Sequence, residues 1–120
     1  MNKKTLVLGA SLKPDRYSYL AVERLVSHNH SVFAFGLKSG VIAGIKIDTE
    51  LISYKNVHTV TLYVNAKAQK MYYDYVISLK PERVIFNPGT ENPDFYDKLT
   101  EHGIFYEVAC TLVLLSTNQY

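Results

Sequence analysis

Short, continuously apolar runs alternate with stretches of helical spacing along this chain, and that alternation constrains its fold more than any other feature. Leu6-Val7-Leu8 is apolar at consecutive positions and closed by Gly9, the pattern of a strand buried on both faces. From Ser18 the spacing changes: Val22, Leu25 and Val26 share one helical face, while Glu23, Arg24 and Ser27 turn elsewhere. His28-Asn29-His30 is a polar stop, and residues 31–35 read as a second strand ending at Gly36. Residues 57–64 form a long β-branched run and predict a third strand. Ala68, Tyr72, Tyr75, Val76 and Leu79 recur at helical intervals, so a helix is expected over 66–79, with Pro81 in the turn that follows. Val84-Ile85-Phe86 is the fourth strand. Asn92-Pro93 predicts a cap followed by proline at the first helical position, Phe95 and Leu99 supply a buried face, and Gly103 is the stop. Residues 104–108 are the fifth strand. Between Lys38 and Tyr54 the pattern is weakest: a short extended piece is expected over 41–47, then a single helical turn capped by Thr49.

Strands that alternate with helices must run parallel, with helices covering the sheet. The expected architecture is therefore α/β: one domain over residues 1–120, with a five-stranded parallel sheet and helices on both faces. A length of 120 residues suits one domain, and 48% hydrophobic against 20% charged residues is the balance of a soluble chain with a core. Thirteen basic and eleven acidic residues give a net charge of +2. That is too little for bulk electrostatics to argue for nucleic acid, and no nucleic-acid partner is expected, but it leaves room for a local basic patch that binds a phosphorylated ligand. The first apolar stretch ends at Gly9, too soon for a signal-peptide core, and nothing approaches a membrane-spanning length. Cys110 is the lone cysteine and has no internal partner, so a reducing, cytoplasmic setting is expected.

In parallel sheets, ligands bind beyond the carboxyl ends of the strands, where the strand order reverses. The first strand is followed by Gly9-Ala10-Ser11-Leu12-Lys13-Pro14-Asp15-Arg16. Gly9 and the small Ala10 allow backbone to approach a ligand, and N–H groups near a helix start attract phosphate. The Ser11 hydroxyl can donate to a phosphate oxygen, and Lys13 and Arg16 can neutralise its charge. The bland alternative is a solvated turn with two basic residues. After the second strand, NAD-selective sites carry an acid for the ribose hydroxyls, whereas this chain has Gly36-Leu37-Lys38. Lys38 suits a phosphorylated ribose, as in coenzyme A (3′-phosphate) or NADP (2′-phosphate), and equally suits an ordinary exposed position. Asn87 offers an amide after the fourth strand, and Gly89 permits close backbone approach. Cys110 follows the fifth strand at the same edge; without a base at a telling spacing it reads as a buried free thiol rather than a nucleophile. The four histidines flank element ends mostly at the opposite edge, with no cysteine or carboxylate cluster to complete a zinc site. Tyr72, Tyr73 and Tyr75 are read as core, with self-association as the alternative.

These residues together resemble the small stand-alone CoA-binding domain family of bacteria, which is similar to the nucleotide-binding domain opening the succinyl-CoA synthetase α subunit. The carriers are Gly9-Ala10-Ser11 with Lys13-Pro14 and Arg16, Ser18-Tyr19, Asn87-Pro88-Gly89 with Glu91-Asn92, and Cys110, over Leu6 to about Leu112. The resemblance implies a Rossmann-type sheet with CoA or an acyl-CoA along its carboxyl edge. Gly9, Ala10 and Ser11 would meet the pyrophosphate beside Lys13 and Arg16, with Lys38 near the adenosine end. Asn87 and Gly89 would border the pantetheine arm, whose thiol would point toward Cys110. Departures are Gly36-Leu37 where the family has an Asn-Pro-like turn, Asn65-Ala66-Lys67 where it often has an earlier basic residue, Phe86 for Trp or Leu, and Asn87 for Gln. The similar ligases take a catalytic histidine from a second domain, so binding without catalysis is expected. The alternatives are NADP-type binding, or a scaffold for a protein partner or homo-oligomer.

Overall fold

Thr5–Leu8 forms strand β1, and its four consecutive buried residues are explained by its place at the middle of the sheet. In the computed structural model, which describes residues 2–120, β1 pairs in parallel with β2 (Val32–Phe35) on one side and β5 (Thr59–Leu62) on the other. Beyond β5 lie β6 (Arg83–Phe86) and β7 (Phe105–Val108), both parallel to it. These are the five expected strands. The sheet nevertheless has seven, ordered β3-β4-β2-β1-β5-β6-β7. The additional pair is a hairpin, β3 (Gly40–Ile42) antiparallel to β4 (Ile45–Asp48), with β4 extending the parallel sheet beside β2. Ala43 and Gly44 turn it with φ of 49° and 81°, the left-handed pair that a two-residue hairpin needs. The extended piece expected over 41–47 is therefore two strands. No helical turn follows Thr49: that segment crosses without regular structure, held where Tyr54 stacks on Phe33 at 4.4 Å and donates to the Asp48 carboxylate.

Alternation along the strands supplies two cores. Leu6, Leu8, Val60, Leu62, Val84 and Phe86 face Tyr72, Tyr73, Val76, Phe95 and Leu99. Val7, Ala34, Ile47 and Ile85 face Val22, Leu25 and Leu115. Helix α1 (Tyr17–Ser27) and a C-terminal helix α5 (Thr111–Ser116), which no signal in the spacing announces, thus cover one face. The other is covered by residues 66–78 and by α4 (Pro93–Glu101), whose Asn92 cap accepts from the Phe95 N–H and whose first residue is Pro93.

The helix expected over 66–79 is three pieces: α2 (Ala66–Gln69), a 3₁₀ turn (Lys70–Tyr72) and α3 (Tyr73–Ser78). The tighter turn lies between two residues fastened to the loop after β6. Buried Gln69 donates to the Thr90 carbonyl (2.7 Å) and accepts from Asn92 (2.9 Å), and the Tyr73 hydroxyl accepts from Asn92 (2.7 Å).

At the amino edge, buried Arg83 donates to Glu107 (3.0 Å), to Thr59 (3.1 Å) and to the Tyr120 carbonyl (2.9 Å), with the Tyr120 ring 4.4 Å away. Among the described residues, no helix is long and apolar enough to cross a membrane.

Candidate functional site

The chain leaves β1 toward β2 on one side and later returns to β5 on the other, so the strand order reverses at β1. The loop after β1 therefore lies in the crevice where such sheets hold ligands. Two glycines allow the surrounding loops to close up. Gly9 has φ of +105°, and a Cβ there would stand 3.0 Å from the Tyr63 backbone. A Cβ on Gly36 would stand 2.3 Å from the Ala10 carbonyl oxygen. The loops after β1, β2 and β5 thus touch through their backbones. Gly9 and Ala10 both donate their N–H groups to the Phe35 carbonyl, at 2.9 and 2.8 Å. Those two N–H groups therefore hold the loop together.

Open donors lie one step further on. Helix α1 begins at Tyr17 with Arg16 as its N-cap, and Arg16 makes no side-chain capping bond. No acidic residue stands in its first turn. The opening N–H groups of a helix have no intrahelical partner and carry the positive end of its dipole. By contrast, α4 is capped by Asn92 and carries Asp94 in its first turn. The Ser11 Oγ accepts from the Lys13 N–H at 3.2 Å, which leaves the hydroxyl proton free to donate.

These groups border a cleft of about 1020 Å³. The structure brings Gly9, Ala10, Ser11, Lys13, Arg16 and Lys38 together in its lining. It adds an apolar wall that the sequence did not reveal: Leu12, Leu37, Tyr63, Val64, Met71 and Tyr72. Leu37 is 88% exposed and Met71 73% exposed, and large apolar side chains so open to water at one cleft mark a surface suited to interaction. Leu37 carried a signal, an apolar residue where nucleotide sites hold an acid. Met71 carried none, because the 3₁₀ turn that presents it was read as helix. The Tyr63 hydroxyl is buried without a partner, since the neighbouring Thr61 and Thr111 hydroxyls pair with each other at 2.8 Å. Burial pushes its pKa up.

Asn87, Gly89 and Cys110 do not line the cleft. The Asn87 side chain is buried and donates to the Thr61 hydroxyl (2.7 Å) and the Leu62 carbonyl (2.9 Å) while accepting from the Thr111 N–H (2.9 Å). The Gly89 N–H donates to the Glu91 carboxylate at 2.9 Å. Cys110 is half-buried at the start of α5. His30 and His58 sit at the opposite edge, where burial holds the pKa of each below the ordinary value. Among the described residues, no three His, Cys, Asp or Glu side chains gather as a metal site.

A family model described as a CoA binding domain matches residues 3–116. The crystal structure of an uncharacterized protein superposes with a TM-score of 0.97 at 48% identity, covering 100% of this chain and 99% of that one. Cell-free ID.343 from Thermus thermophilus has a TM-score of 0.86 at 23% identity, with 99% and 91% covered, a likeness of fold alone. A hypothetical protein from Pyrococcus horikoshii OT3 has the same TM-score at 25% identity, with 97% and 83% covered. A search of curated proteins gives no match.

Proposed function

The chain belongs to the CoA binding domain family, and from that premise we propose that its cleft holds coenzyme A or an acyl-CoA without catalysing a reaction on it. One observation carries the placement: an eleven-residue helix starts at the cleft with an N-terminus that no side chain caps, and Ser11, Lys13 and its N-cap Arg16 line the same cleft. Helix N-termini with adjacent cations are ready-made sites for phosphate. Lys38, across the cleft, is the partner for the 3′-phosphate, and the exposed faces of Leu37 and Met71 flank the adenine. Charge-assisted hydrogen bonds of this kind contribute about 1.5–3 kcal/mol each.

The test is isothermal titration with CoA, dephospho-CoA, NADP and NAD. CoA is expected to bind, to weaken about tenfold or more without its 3′-phosphate, and to lose binding in the Lys13→Ala, Arg16→Ala double variant. Preference for NADP, or no binding to CoA, overturns the assignment. The latter outcome would favour a scaffold for a protein partner.

A further inference from the structure

We infer that the site reads only the nucleotide half of its ligand, the 3′-phosphoadenosine 5′-diphosphate unit, and is indifferent to what the pantetheine arm carries; this rests on the CoA assignment above. The two wings of the carboxyl edge are built in opposite ways. On the wing of β1 and β2, donors and cations are left open: the start of α1, the Ser11 hydroxyl, Lys13, Arg16 and Lys38. Every described residue lining the cleft lies between Gly9 and Tyr72.

On the wing of β6 and β7, where family resemblance would run the pantetheine arm, the polar groups of Asn87, Gly89 and Thr90 are engaged within the protein. Of the four hydrogen-bonding positions on the Asn87 amide, three are engaged with Thr61, Leu62 and Thr111. The Thr90 N–H and hydroxyl both donate to the Asn87 carbonyl, at 3.0 and 2.8 Å, and the Thr90 carbonyl accepts from Gln69 at 2.7 Å. The Gly89 N–H is engaged with Glu91. Asn87 and Thr90 are 2% and 4% exposed, so turning either outward would strand a buried partner. A pantetheine arm carries two amides that need donors and acceptors to be held on a protein surface. Asn87, Gly89 and Thr90 offer them engaged groups, and the amides do better in water. Affinity then comes from the phosphates, ribose and adenine, and the thiol or thioester remains in solvent. The ligand class is accordingly any carrier that ends in 3′-phosphoadenosine diphosphate, whatever its acyl group.

The experiment titrates the full chain, at constant ionic strength, with CoA, acetyl-CoA, hexanoyl-CoA, adenosine 3′-phosphate 5′-diphosphate and 4′-phosphopantetheine. The first four dissociation constants are expected to agree within about fivefold, with phosphopantetheine at least about a hundredfold weaker. A wider spread, whether between CoA and its nucleotide half or between free and acylated CoA, overturns the inference and leaves the CoA assignment standing. Failure of CoA itself to bind removes both.

Discussion

Replacing Gly36 by alanine adds one methyl group at the point where two cleft loops meet, and the structure sets the size of the effect. The new Cβ would stand 2.3 Å from the Ala10 carbonyl oxygen, 3.2 Å from its carbonyl carbon and 3.1 Å from an Ile47 methyl. The clash is with backbone, so no rotamer relieves it, and the loops must separate by roughly 1 Å to reach ordinary contact. Ala10 is tied to the residue before Gly36 through its N–H bond to Phe35, so the strain falls on that bond. Overpacking of this kind costs about 1–3 kcal/mol, which lowers the melting temperature by about 4 °C per kcal/mol in a domain of this size. Because the displaced loop leads straight to Ser11, Lys13 and the start of α1, CoA affinity should fall at least about tenfold under conditions where the variant remains folded. Urea denaturation gives the first quantity and isothermal titration the second. Gly103→Ala is the control: its φ is +70° with nothing within 4 Å, so it should cost about 1–2 kcal/mol of backbone strain and leave CoA affinity unchanged. A Gly36→Ala protein as stable as the parent, with the same affinity, would refute the claim that this contact positions the site.

Three further outcomes are expected. Asn87→Ala removes three buried hydrogen bonds and should destabilise the fold by about 2–4 kcal/mol in urea titration, while the folded fraction binds CoA as before; a selective loss of affinity would place Asn87 in the site. Titrations of CoA at increasing salt should show affinity falling, and the Lys13→Ala, Arg16→Ala variant should show a shallower dependence for any residual binding, because these cations are screened where exposed; equal slopes would remove both from the phosphate contacts. His30 and His58 have pKa values held below the ordinary 6.5, chiefly by burial, aided at His30 by the charge of Lys3 and opposed at His58 by Glu82. The unfolded chain therefore binds more protons as pH falls through that range, and stability should drop as pH is lowered from neutrality toward the folded-state values. His30 also accepts the Lys3 N–H through Nδ1 at 2.9 Å, a bond that requires the ring nitrogen to be unprotonated. A His30→Gln, His58→Gln variant whose stability declines as steeply as the parent's over that window would refute this origin.

The central strands were legible because a strand buried on both faces declares itself locally. Leu6-Val7-Leu8 or Val84-Ile85-Phe86 can take few other places in water. The hairpin at the sheet's edge was not legible, since its turn uses Ala43 in a left-handed conformation rather than a residue that prefers one, and Val41 is exposed. The single helix expected over 66–79 failed for a related reason. Its apolar spacing is genuine, but the bonds that fasten Gln69 and Tyr73 to Asn92 reach across about twenty positions of chain. At the cleft, the basic residues of the first loop were legible from their place after a glycine-ended strand. Of the apolar wall, Leu37 left a trace, as an apolar residue where nucleotide sites hold an acid, but Met71 left none, because exposure depends on what the rest of the fold leaves uncovered.

The amino-acid sequence by itself determined the alternating architecture, the burial of the first strand on both faces and the collection of Ser11, Lys13, Arg16 and Lys38 near one edge. Each of these follows from local periodicity and from the rule that places ligands at the carboxyl ends of parallel strands. The tertiary structure alone decided which groups at that edge remain available. Ala10 and Asn87 look equally free in the sequence, but one N–H is held by Phe35 and the other residue's amide by Thr61, Leu62 and Thr111. A polar group has a small, fixed hydrogen-bonding capacity, and only the partners brought to it by folding determine how much is left for a ligand.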